Sequence, residues 1–179
     1  MNSHKHLQKI FLFSVILFTL LYTVARALPF SEADTSQKFL VLFSREKRRV
    51  LWSEPVVTGD TVRLRFIMSL YKVPQWEVYT VAPDNTLIVE KMICGSYEAM
   101  QYFDKLNQFY PISGGMYERI LGNKTGVVRF RMGFKADHCV LVHGKEFHVS
   151  NVAHAGEALS LYIADKDPAY LPESESRLK

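Results

Sequence analysis

Cysteine is nearly absent from this chain: Cys94 and Cys139 are the only two among 179 residues, and neither sits in a Cys-x-x-Cys pair of the metal-binding kind. No Gly-rich phosphate loop, nucleophile elbow, paired-carboxylate constellation, internal repeat or low-complexity tract is present. A strong charge of one sign is also missing. The formal +4 is inflated by Lys5, Lys9 and Arg26, which lie in a leader that has no acids. Taking those three from the 22 basic residues leaves 19 against 18 acids, a net of +1. A near-neutral domain lacks the electrostatic footprint of a nucleic-acid binder, so nucleic acid is not an expected partner.

What is present begins with the leader. Lys5 and Lys9 precede an apolar run from Ile10 to Ala25, broken only by Ser14, Thr19 and Thr23, and Ala25-Arg26-Ala27 follows. A basic start, a short apolar middle and small residues before a cut describe an export signal over residues 1–27. The run is shorter than the roughly 20 residues of a spanning helix, which favours cleavage after Ala27 over an uncleaved anchor. Either way the working domain is expected to be extracytoplasmic, touching a membrane only through this segment if it is retained. Residues 28–38 read as a tether, 39–165 as a β domain and 166–179 as a flexible tail.

In an oxidising compartment the two cysteines can pair, and they can equally be unpaired core thiols, since both border apolar runs. Sequence does not supply the distance that separates these cases.

From Phe39 onward the apolar period is two. Phe39–Phe43 and Val50–Trp52 flank the charged stretch Arg45-Glu46-Lys47-Arg48-Arg49, a hairpin with a solvated tip; the alternative for that tip is attraction to a membrane surface. Thr61 to Met68 alternates cleanly, with Val62, Leu64, Phe66 and Met68 on one face and Arg63 and Arg65 on the other. A strand from Pro74, carrying Trp76 and Val78 on one face and Glu77, Tyr79 and Val81 on the other, pairs through Pro83-Asp84-Asn85 with Leu87–Cys94. Between Gly95 and Gly126 the period changes, and Tyr102, Leu106, Phe109 and Tyr110 suggest one side of a short helix stopped by Pro111. Strands resume at Val127–Met132, at Val140–Val142 and Glu146–Val149 around the turn His143-Gly144-Lys145, and at Leu159–Ile163. The expected fold is mainly β: an antiparallel sandwich or barrel with one short irregular or helical insertion.

Four histidines follow the leader: His138, His143, His148 and His154. The first three invite a zinc reading. Strand parity sends His143 away from the other two and no third ligand completes a motif, so no metal or other cofactor is expected. Ser69-Leu70-Tyr71-Lys72 and Lys124-Thr125-Gly126 match elements of serine β-lactamases, but that chemistry needs Ser69 at a helix start, whereas Ser69 follows a strand and Pro74 follows Lys72. Asn123-Lys124-Thr125 is a glycosylation acceptor or a polar turn. Tyr97, Tyr102, Phe103, Phe109, Tyr110 and Tyr117 gather in the insertion, where a satellite core is favoured over a ligand cleft.

The run Phe66-Ile67-Met68-Ser69-Leu70-Tyr71-Lys72-Val73-Pro74-Gln75-Trp76-Glu77 resembles the signature of a family of small exported bacterial proteins of unknown function, often encoded beside TAXI-type tripartite (TRAP) transporter genes. The likeness extends over about Phe39 to Asp165. Ser69, Lys72, Pro74 and Glu77 fall on motif positions and His138 resembles a frequent family histidine. The motif histidine is Met68 here, and the threonine before proline is Val73. The resemblance implies a divergent member that has lost whatever that histidine does. Ser69, Lys72, Glu77 and His138 are thus the candidate binding residues, with Lys72 expected to neutralise Glu77 or to bind a carboxylate. With no complete catalytic set, the chain reads as a non-enzymatic accessory or interaction module whose partner is a membrane transporter or another envelope protein. The alternative is a small exported hydrolase, metal- or serine-dependent. A two-lobed substrate-binding protein is disfavoured by length and by the lack of βα alternation.

Overall fold

A computed structural model describes residues 37–103 and 108–167, all within one compact unit. The leader, most of the tether and most of the tail therefore lie outside the described residues. Among the described residues, eleven strands form two antiparallel sheets. The smaller contains β1 (Lys38–Ser44), β2 (Arg49–Val56), β8 (Val127–Arg131) and β11 (Ala158–Ala164), in the order β2-β1-β11-β8. The larger runs β10-β9-β3-β4-β5-β7-β6, from β3 (Thr61–Met68), β4 (Val73–Val81), β5 (Leu87–Cys94), β6 (Tyr110–Pro111), β7 (Tyr117–Thr125), β9 (Cys139–Val142) and β10 (Lys145–His148). Neither sheet closes, so of the two expected architectures the sandwich is the one formed.

Alternation explains the layering. Leu40 and Leu42 of β1, Leu159 and Leu161 of β11, Val62 and Leu64 of β3, Tyr79 and Val81 of β4 and Val140 and Val142 of β9 are all buried in one core between the sheets. The hairpin turns are as the sequence expects: Arg48 has φ 51 in the charged tip, and His143 and Gly144 have φ 50 and 73 between β9 and β10. Two positive φ values in a two-residue turn match the right-handed twist of the strands it joins. Lys38, placed in the tether by sequence, is instead a buried residue of β1 whose Nζ donates to the carbonyls of Ala82 and Pro83.

The insertion departs from expectation in two ways. The helix, α1, is Tyr97–Phe103, earlier than the apolar spacing suggested; Ser96 caps it, its Oγ accepting from the Ala99 N–H at 3.1 Å. Tyr110–Pro111 is a short edge strand, not helix. The stretch after it contains β7, which pairs with β5 along the sheet. Register shifts near Val89 and Lys91, and Gly122 at φ 75, break the period of two that reveals the other strands. Ala99 and Met100 of α1 pack with Met68, Met92 and Cys94, joined by Phe109 and Tyr117; of the six aromatics expected to form a satellite core only these two enter it, while Tyr97, Tyr102, Phe103 and Tyr110 are exposed.

Cys94 and Cys139 are both free and buried. Cys139 lies opposite Arg65, Arg65 opposite Trp76, and Trp76 opposite Ile93, the neighbour of Cys94. Three strand spacings of about 4.8 Å put the two about 14 Å apart, beyond any disulfide. The unpaired alternative is the one realised.

Candidate functional site

Strand β8 is one of the two edges of the smaller sheet. Between it and the inner face of β3 and β4 lies a cleft of about 860 Å³, within the range of small-ligand sites. Leu64, Phe66 and Met68 of β3 and Val128 and Phe130 of β8 supply apolar walls, and the connection from Gly133 to His138 closes one side. All four residues singled out by the sequence resemblance, Ser69, Lys72, Glu77 and His138, line this one cleft.

Their environments differ. Ser69 and Lys72 are exposed in the four-residue turn between β3 and β4, where the Lys72 N–H donates to the Met68 carbonyl at 2.7 Å and Lys72 takes φ 57. This α-turn leaves no helix for a Ser-x-x-Lys pair. Lys124, the start of the second lactamase-like element, lies in β7 instead, next to its last residue, and pairs with Asp84 at 2.8 Å. The sequon residues Asn123 and Thr125 belong to that strand too.

Glu77 faces inward on β4, in line with Gln75 and Tyr79. Burial raises its carboxyl above the ordinary glutamate range, and hydrogen bonds from the Tyr79 hydroxyl and Gln75 Nε2 oppose this only in part. The expected neutralisation by Lys72 is not formed: Lys72 makes no ion pair among the described residues, and Glu77 is held by neutral donors. The cause is geometric, since the turn carries Lys72 to the rim while strand parity sends Glu77 to the interior.

His138 is 5% exposed and sits between two phenyl rings, 5.3 Å from Phe66 at 20° and 5.0 Å from Phe130 at 22°. Because Phe66 and Phe130 belong to different sheets, the imidazole is part of the seam joining them. Its Nδ1 has no hydrogen-bond partner. Burial pushes its pKa down to about 4 against the pull of the Asp137 carboxylate, so the ring is neutral at pH 7, with one nitrogen donating and one accepting.

No protein family, curated protein or solved structure matches the chain. The site therefore stands on its own geometry.

Sequence reasoning missed Phe130 and Phe134 as lining residues, together with Arg129, Arg131 and Lys135 at the rim. Alternation along β8 sets Phe130 on one face with Val128, but nothing local says that β8 is an edge. Phe134 is 91% exposed, the most exposed large apolar side chain in the described domain.

The remaining histidines do not converge. His143 meets Asp60 at 2.7 Å, while His148 lies 3.4 Å from Asp137 and 3.9 Å from Glu146. Cys139, Glu146 and His148 bring ligand atoms within 4.8 Å of one another on the outer face of the larger sheet. There the Arg65 guanidinium already contacts Glu146 and Asp137, at 3.8 and 3.4 Å.

Proposed function

We propose that this protein is an extracytoplasmic accessory module that binds its partner without transforming it, and that the cleft between β8 and the β3–β4 hairpin is its working surface. The observation that carries this reading is convergence: residues from 69 to 138, picked out by the resemblance, meet at one cleft with apolar walls. The same resemblance supports a partner in the membrane part of a tripartite transporter. A binding role is favoured over hydrolysis because a nucleophile needs a base within hydrogen-bond reach. Among the described residues Ser69 Oγ has no hydrogen-bond partner, and the only histidine of the cleft is clamped in a ring stack.

Co-purification from detergent-solubilised envelope membranes of the source cell tests the proposal. The wild-type chain is expected to retain a transporter membrane component, and Lys72→Ala with Phe134→Ser to retain about tenfold less at an unchanged melting temperature, as expected for loss of one charged and one apolar contact. Equal retention by the variant removes the cleft as the working surface. Hydrolysis of a chromogenic ester or β-lactam that Ser69→Ala abolishes overturns the non-enzymatic reading.

A further inference from the structure

We infer that the cleft takes a small anionic amphiphile: an apolar body along the walls and one carboxylate at the rim. The inference rests on the reading of the cleft as a binding site and adds the class of ligand.

Two independent features point to that chemistry. The first is the apolar surface. Leu64, Phe66, Met68, Val128 and Phe130 line the interior, and Phe134 stands at the mouth almost wholly in water. An exposed phenylalanine beside an apolar cleft is surface that a ligand body would cover.

The second feature is charge. Lys72, Arg129 and Lys135 all line the cleft, and none of them forms an ion pair among the described residues. Arg131 on the same rim is already engaged, with Glu46 at 3.5 Å and the Gly156 carbonyl at 2.9 Å. Glu77 is the only acid in the lining, and its carboxyl is already bonded to Tyr79 and Gln75. Three unpaired cations above one internally bonded carboxyl favour an anion over a cation. Arg129 offers the planar fork that matches a carboxylate.

The His138 ring, 95% buried between Phe66 and Phe130, also lines the cleft, so its signals report on whatever fills the cleft.

Decanoate is the probe, with decan-1-ol and decyltrimethylammonium as controls, followed by the NMR signals of the His138 ring (assigned by their loss in His138→Phe) and by calorimetry. Decanoate is expected to saturate and to move the His138 signals, with affinity falling as salt rises. Decanol should bind about tenfold more weakly and the cation not at all, since a charge-assisted hydrogen bond is worth about tenfold or more. Lys72→Gln with Lys135→Gln, both at exposed positions, should weaken decanoate about tenfold and leave decanol unchanged. Decanol binding as tightly as decanoate overturns the anionic preference while leaving the cleft a binding site. No shift at His138 with any probe overturns the inference, and co-purification judges the accessory reading separately. Co-sedimentation with phosphatidylglycerol vesicles without a response to free decanoate also overturns it, in favour of a bilayer surface.

Discussion

A single imidazole joins stability to the site. The ring of His138 stays neutral in the fold down to pH about 4, while in the unfolded chain it takes a proton near its ordinary value of 6.5. Between those values the unfolded state holds the extra proton, so the contribution of His138 to stability is complete above pH 6.5 and is lost as pH falls towards 4. His138→Phe keeps a flat ring between Phe66 and Phe130 and removes the titration. Its melting temperature should therefore fall less than that of the wild type between pH 6.5 and 4.5, as followed by circular dichroism. Equal falls would mean that the ring is not held neutral. Glu77 works in the opposite sense. Its raised carboxyl favours the protonated form in the fold, so its contribution declines as pH rises through that raised value, and Glu77→Gln should leave stability at pH 7 unchanged or higher. Alternation set Glu77 on one face with Tyr79 and Val81, and the resemblance singled out both residues as binding candidates. Their environments were not, because the partners of His138 come from strands of two different sheets.

Among the elements, the connection from β8 to β9 forms the cleft wall and is built around a close approach. A Cβ on Gly133 would lie 2.7 Å from the Ala136 Cβ, where no pair of carbons settles without movement. Gly133→Ala should cost about 1–3 kcal/mol, the usual range for overpacking, and should confine its amide shifts to residues near 132–138. A variant as stable as the wild type with unchanged shifts would show that the wall is looser than its geometry. Element by element, the hairpins β1–β2, β4–β5 and β9–β10 were readable, because in each an apolar run or an alternation flanks turn residues at the right place; β3 was readable as a strand by its alternation. Strand β7 was hidden by its bulge, since a one-residue slip sends the next apolar side chain to the other face and erases the pattern. Helix α1 begins five residues before the apolar spacing that starts at Tyr102, because the Ser96 cap fixes its first turn; Leu106 of that spacing lies outside the described residues.

For the molecule as a whole, the free cysteines give the broadest check. Both thiols are buried, and burial is the leading cause that raises each. A thiol reagent should therefore label neither quickly in the native protein and both in denaturant, with no change in melting temperature on adding a reductant. A reductant-sensitive melting temperature would mean that the strand order is wrong, since this order holds the two about 14 Å apart.

The period of two along β3 and β4 by itself determined that this is a β protein with two-faced strands, and which side chains share a face. Parity is a property of neighbouring residues and needs no knowledge of the rest of the chain. Only the tertiary structure decided that β8 ends its sheet, that Phe66 and Phe130 clasp His138 from opposite layers, and that Ser69, Lys72 and Glu77 share a cleft with it. Sheet order and the facing of two sheets are set by contacts between distant segments, whose net energy is a sum over the whole core. No local run of residues carries that sum, and the site exists only where the two layers part.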